Sequence, residues 1–240
     1  MTLKRGVQNF NDEAAARSPG GGGRIGAHDG PSWMHAARLD AVMAAVRAAA
    51  PRRVVDLGCG EGDLLTRLRA LSGLDRLIGV DPCPVALNRL RARLDAPAAR
   101  GAVEAGTVET GTAEAGRAGL DITLLAASLT DPAVRRLAVD CAVLVETIEH
   151  IDPDRLSGVE RAVFADLRPA TAIITTPNAD FNPLLGVPPH RFRHPDHRFE
   201  WGRAKFQHWT TGVAARHGYT VTHQDLAGHH ATLGGASQMA

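Results

Sequence analysis

Arg53-Val54-Val55-Asp56-Leu57-Gly58-Cys59-Gly60-Glu61-Gly62-Asp63 reads as a buried strand that enters a glycine turn and leaves as a helix, because Leu64, Leu65, Leu68 and Leu71 follow at helical spacing. Strand, glycine turn and helix in that order form the opening βα unit of a doubly wound α/β sheet. Gly58, Gly60 and Gly62 permit tight turning and close approach of a ligand to the main chain. Their every-second-residue spacing differs from the dinucleotide pattern G-x-G-x-x-G, and Asp56 ahead of the turn is also atypical of such sites. On this stretch alone, a nicotinamide dinucleotide or no ligand at all stay open.

Upstream, Met34, Leu39, Val42, Met43 and Val46 recur at helical spacing up to Ala49, and Pro51 ends that helix. Residues 1 to 30, with Gly20 to Gly23 in a row, offer too little apolar surface to offset their ordering entropy and read as a flexible arm. That segment has no apolar h-region, so it is not a secretory signal. Residues 31 to 240 are expected to form a single domain. Apolar residues are 44% of the 240, typical of a globular chain, while aromatics are only 4%, which leaves Ala, Leu and Val to build the core. A net charge of +1 exerts no global pull on nucleic acid or membrane, so such a partner must be met by a local patch. Cys59, Cys83 and Cys141 in or beside apolar runs fit reduced thiols in a cytoplasmic protein, and no segment is apolar enough to span a bilayer.

Downstream, the strand Leu77-Ile78-Gly79-Val80 ends at Asp81, whose carboxylate is placed to accept from two ribose hydroxyls. The glycine turn after Asp56, joined to an acidic residue ending the next strand, resembles the class I S-adenosylmethionine (SAM) methyltransferases. The cofactor residues that this resemblance implies are Asp56, Gly58, Gly60 and Asp81. A helix over Val85 to Leu94 follows, then residues 96 to 118, a low-complexity insertion with almost no large apolar side chain. Asp121 to Leu125 is the third strand. Ser128-Leu129-Thr130-Asp131 at its end has two readings: Ser128 and Leu129 at the adenine edge of SAM, or a polar turn in which Asp131 caps the next helix.

The fourth strand, Cys141 to Val145, stops in Glu146-Thr147-Ile148-Glu149-His150. Strand order in a doubly wound sheet reverses between the first and fourth strands, so this cluster should face the glycine turn. If the backbone turns helically there, Glu146, Glu149 and His150 share one side. Two carboxylates and an imidazole suit Mg²⁺ or Mn²⁺. The alternative is that Glu146 and Glu149 cap the following helix and His150 merely packs. A fifth strand, Ala172 to Thr176, leads through Pro177-Asn178 to His190-Arg191-Phe192-Arg193-His194-Pro195-Asp196-His197-Arg198-Phe199-Glu200-Trp201. That run suits a terminal nucleotide, with arginines for phosphate, aromatic faces for a base and a histidine for a metal. A solvated loop with core aromatics is the other reading.

Glu146-Thr147-Ile148-Glu149-His150 followed by Asp196-His197-Arg198-Phe199-Glu200-Trp201 resembles the HEN (Hua enhancer) family of 3′-terminal RNA ribose 2′-O-methyltransferases, in its bacterial branch and methyltransferase domain alone. Ser128-Leu129-Thr130, Thr175-Thr176-Pro177-Asn178 and Gln238-Met239-Ala240 share in the likeness. The resemblance implies a class I, Rossmann-like fold, SAM as cofactor, and one Mg²⁺ or Mn²⁺ held by Glu146, Glu149, His150 and His197. In that family the ion grips both hydroxyls of the last ribose of a single-stranded RNA 3′ end, with His150 and Glu149 as catalytic residues. A small catechol-like substrate, or SAM or RNA binding without turnover, are the alternatives. Bacterial members commonly carry a long N-terminal half that works with an RNA-repair kinase and ligase, against some 30 glycine-rich residues here. Gly202 stands where the family usually has a hydroxyl residue, and the chain stops at Ala240 inside what reads as its last strand.

Overall fold

A computed structural model describes residues 33–95 and 119–240. The expected arm at 1–30 and insertion at 96–118 lie outside the described residues. Helix α1 (Trp33–Ala49) precedes strand β1 (Arg53–Leu57), helix α2 (Asp63–Leu68), β2 (Arg76–Asp81), α3 (Pro84–Asp95) and β3 (Asp121–Ala126). Then come β4 (Cys141–Val145), helix α4 (Leu156–Glu160) with its wider continuation at Arg161–Leu167, β5 (Thr171–Pro177), α5 (Arg203–His217), β6 (Gln224–Leu226) and β7 (Ser237–Met239).

The seven strands form one sheet in the order β3-β2-β1-β4-β5-β7-β6. The first five run parallel, and β7 is antiparallel to both β5 and β6. Both faces are covered. On one, Leu39, Val42 and Val46 of α1 pack with Leu65, Leu68 and Leu90 against Val54 and Val143. On the other, Val159, Val163, Phe206 and Val213 pack against Val55, Leu57, Leu144 and Ile174. That two-sided burial explains why the central strands read as continuous apolar runs and not as alternating ones. The order reverses at β1 and β4, where Val54 stands beside Cys141 and Asp56 beside Val143. A ligand crevice belongs outside the carboxyl ends of these two strands. Among the described residues, no helix is long and apolar enough to cross a membrane.

The last strand is short, as expected, yet fastened. Ala240 exchanges both backbone hydrogen bonds with Ile174, at 2.8 and 2.9 Å. Buried Gln238 donates to the carbonyls of Pro177 (3.1 Å) and Trp201 (2.8 Å), so β7 clamps the end of β5 to the loop that reaches Trp201.

Candidate active site

The glycine turn is fastened over the end of β2. Gly58 N and Cys59 N both donate to the Val80 carbonyl (2.7 and 3.0 Å), and Gly60 N donates to Asp81 Oδ2 at 2.9 Å. The second Asp81 oxygen accepts from Cys83 N at 2.8 Å. Each carboxylate oxygen has two lone pairs, so both retain capacity for a ribose hydroxyl. Asp56 is buried beneath the turn, and that burial, with the Asp81 charge adding, pushes its carboxyl up to about 7. Gly58 has φ +85°, and a Cβ there would lie 2.7 Å from Thr147 Cγ2. The turn and the end of β4 are thus in direct contact, and Thr147 Oγ1 seals it by donating to the Leu57 carbonyl at 3.1 Å.

At the end of β4 the chain does not begin the helix that would align the three side chains. Glu146 takes φ +50°, a left-handed conformation that is uncommon for a non-glycine residue and held here by its surroundings. Its N–H donates to the Thr175 carbonyl at 3.1 Å, Thr175 Oγ1 donates to its Oε1 at 3.0 Å, and Arg38 of α1 reaches its Oε2 at 2.7 Å. Ser237 accepts from the same Arg38 nitrogen at 2.9 Å. A single 3₁₀ turn, Ile148–His150, then sends Glu149 inward and His150 outward. Glu149 is 0% exposed; Thr176 Oγ1 donates to its Oε2 at 3.1 Å, and Oε1 has no hydrogen-bond partner. Burial, reinforced by the Glu146 charge, raises the Glu149 carboxyl well above the usual range. The turn Pro153–Arg155 and the helix Leu156–Glu160 that follow have no side-chain cap bond, so neither glutamate caps them.

The loop before α5 departs from its expected division of labour. Phe199 and Trp201, each 6% exposed, stack at 4.3 Å in the core, because alternate residues of this extended stretch face inward. Only Phe192, 48% exposed, remains as an aromatic face for a base. Arg193 is likewise unavailable for phosphate: its guanidinium binds Asn182 Oδ1 and the carbonyls of Ala236 and Asn178. Glu200, between the two buried aromatics, lies 2.6 Å from His197 Nδ1 and accepts from Asn182 Nδ2 and Arg193 N, both at 2.7 Å. Burial alone would raise the Glu200 carboxyl, but the His197, Asn182 and Arg193 hydrogen bonds outweigh it and hold it low. An imidazole oriented by an ionised carboxylate through Nδ1 presents Nε2 for ligation, the arrangement common at metal centres. His150 and His197 meet edge to face with ring centroids 4.9 Å apart, and His194, which the sequence reading left unassigned, joins them. Partial burial, with His197 and His194 adding, lowers the His150 pKa and favours the neutral ring.

One cleft of about 740 Å³ joins the glycine turn to the end of β4, and Asp56, Gly60, Glu149 and His197 are not in its lining. Gly58, Asp81, Ser128 and Leu129 line it on one side and Glu146, Thr147 and His150 on the other. Ser128 and Leu129 therefore face the cleft, while Asp131 caps the following turn by accepting from Ala133 N at 2.8 Å. The turn reading holds for Asp131, and Ser128 and Leu129 are found in the cleft lining.

A family model described as a methyltransferase domain matches residues 32–232. The small RNA 2′-O-methyltransferases of Gallus gallus and Xenopus tropicalis are 35% and 37% identical to this chain, over 77% and 71% of its length. The match spans 46% and 43% of those two proteins, so the chain covers less than half of each. The crystal structure of the methyltransferase domain of bacterial CtHen1 is 30% identical, with a TM-score of 0.68 over 86% of this chain and 97% of that domain. The chain belongs to the HEN methyltransferase family. Its fold is that of the class I SAM-dependent methyltransferases.

The departure of this HEN chain at Gly202 has a physical account. Gly202 is the N-cap of α5, and a carboxylate from outside the helix serves that end instead: Arg203 N, the first helical amide, donates to Asp180 Oδ2 at 3.0 Å. A Cβ on Gly202 would meet Asp180 Oδ1 at 2.3 Å, so the aspartate occupies the space of the missing side chain. Asp180→Ala should lower stability by about 0.5–2 kcal/mol in urea unfolding, the range for a lost N-cap. The double variant Asp180→Ala/Gly202→Ser should recover most of that loss; an additive further loss would contradict the exchange.

Proposed function

We propose that this chain transfers the methyl group of SAM to the 2′-hydroxyl of the 3′-terminal ribose of RNA, with a divalent ion assisting. The observation that carries the reading is the single cleft running from Gly58 and Asp81 to Glu146 and His150. It gives a cofactor and an acceptor hydroxyl one shared space at the switch point of the sheet. The small RNA 2′-O-methyltransferases among its relatives supply the substrate class.

The residues present suit a metal ion by their chemistry, while the ligating atoms of Glu146 and Glu149 stand apart from the close group of His150, His194 and His197. A carboxylate oxygen that is buried without a partner, as in Glu149, is costly unless a cation or donor completes it. Glu146, Glu149, His150 and His197 would hold the ion, a mixed oxygen and nitrogen set fitting Mg²⁺ or Mn²⁺. When bound, such an ion would acidify the 2′-hydroxyl and favour ends with two adjacent hydroxyls.

The chain's own residues then do the positioning. Thr175 and Arg38 fix Glu146, Thr176 fixes Glu149, and Glu200 fixes His197. Burial and the neighbouring imidazoles lower the His150 pKa and so favour the neutral form, in which an imidazole either ligates an ion or accepts a proton. Asp81 would bind the ribose of SAM, Asp56 would support the turn beneath it, and Gly58 and Gly60 would let the cofactor approach the backbone. The methyl group arrives as a sulfonium whose charge disperses in the transition state, so a cleft with few water molecules favours attack.

A panel of RNA ends tests the choice of substrate. RNAs ending in a free 2′,3′-diol should be methylated in the presence of Mn²⁺, whereas 2′-deoxy ends should not react. Ends with a 3′-phosphate should react at least tenfold more slowly. Equal rates on diol and 3′-phosphate ends, or methylation of a catechol and not of RNA, would contradict the reading.

A further inference from the structure

We propose that His150, His194 and His197 form an all-nitrogen site for a divalent transition metal of the zinc, cobalt or nickel class, overlapping the carboxylate-bearing set without coinciding with it. Among the described histidines, cysteines and acidic residues, these three are the group whose ligating atoms all lie within 4.8 Å of one another. Glu146 and Glu149 stand outside that group.

The three rings come from two places in the fold. His150 ends the 3₁₀ turn after β4, and His194 and His197 lie three residues apart on the loop before α5. The loop is pinned to the turn by Arg198 N, which donates to the Glu149 carbonyl at 2.7 Å. Ligand nitrogens about 2.1 Å from a metal in tetrahedral array stand roughly 3.4 Å apart, so closing the cluster asks for shifts on the order of 1 Å. His197 is already aimed by Glu200. His194 can make the remaining movement, since its side chain is 53% exposed and, beyond the rings of His150 and His197, engages the neighbouring Asp196, through its N–H at 3.2 Å and its carboxylate at 3.8 Å.

Ligand chemistry sets the preference. Imidazole suits zinc, cobalt, nickel and copper, whereas carboxylate and water suit magnesium and manganese. The two sets share His150 and His197, so an ion held by the three imidazoles excludes one held by the carboxylates. Low concentrations of Zn²⁺ should therefore displace Mn²⁺ and not supplement it. The cluster carries this inference without reference to methyl transfer, and its test is separate from that of the reaction.

The test is Co²⁺ titration of the full chain, followed by the visible ligand-field absorption that few-coordinate Co²⁺ gives with nitrogen ligands. Wild type and Glu149→Gln should show the same band, saturating at a single equivalent and removed by Zn²⁺. His194→Ala should weaken the apparent affinity by about 10- to 100-fold, at least the loss seen when only a supporting partner of a ligand is removed. Its melting temperature should not change, because the side chain is largely exposed. Wild-type titration of His194→Ala would overturn the proposal, as would a loss in Glu149→Gln equal to that in His194→Ala, or no band in wild type. RNA methylation with Mn²⁺ alongside any of those results would leave the proposed reaction standing and remove only this site.

Discussion

Glu149→Gln should abolish most methyl transfer while leaving the fold as stable as wild type or more so. The carboxylate is fully buried, one oxygen has no partner, and the Glu146 charge adds to the cost of ionising it. Glutamine keeps the shape and the acceptor for Thr176 but removes the charge, so the buried repulsion disappears. Melting temperature should stay level or rise by about 2–4 °C, the shift expected for roughly 1 kcal/mol in a chain of this size. Activity should fall on the order of 10²-fold or more, since the proposed ion would lose a ligand and even supporting groups at metal sites cost 10- to 100-fold. The pH dependence follows the same sign. A carboxyl raised on folding binds an extra proton in the native state, so wild-type stability declines as pH rises from the usual carboxylate range toward its elevated folded value. That part of the decline should be missing in Glu149→Gln. Loss of activity together with a lower melting temperature would assign Glu149 a structural role instead.

Gly58→Ala should damage both stability and cofactor binding, because two independent penalties meet at one atom. A left-handed backbone costs an alanine about 1–2 kcal/mol, and forcing a methyl into a filled space costs about 1–3 kcal/mol. Here the new Cβ would stand 2.7 Å from Thr147 Cγ2 and 2.9 Å from Thr147 Oγ1. The expected total is about 2–5 kcal/mol in urea unfolding, with SAM binding by calorimetry weakened at least tenfold. Adding Thr147→Ala should return the packing part and not the backbone part. A Gly58→Ala protein that melts and binds SAM like wild type would show that the turn does not press against β4.

Much of this was legible in the sequence because it depends on local chemistry. The glycine turn, Asp81 at the end of β2 and the abrupt stop of β4 in Glu146 to His150 each follow from adjacent residues, and the sheet order brings them together. Gly58, Asp81, Ser128, Leu129, Glu146 and His150 all line the resulting cleft. What could not be read depends on distant partners or unsignalled backbone. Arg38 meets Glu146 across 108 positions, and nothing near either residue announces the pair. Left-handed backbone at Glu146 has no glycine or asparagine to mark it. Thr175 and Thr176 were visible as the end of a strand, but their roles emerge only once β5 lies beside β4. The composition of residues 190–201 suggests aromatic faces for a base, whereas the period of two around Glu200 points Phe199 and Trp201 inward. His194 carries no local signal of its place beside His150, which lies far away in the sequence.

Periodate treatment of RNA after incubation with the chain, SAM and Mn²⁺ tests the central proposal most directly, because periodate cleaves only a ribose with free 2′- and 3′-hydroxyls. The expected result is a 3′ end that resists periodate and β-elimination after treatment with wild type, and stays sensitive with Glu149→Gln or without SAM. RNA that remains fully sensitive after incubation with folded, SAM-binding wild type would contradict it.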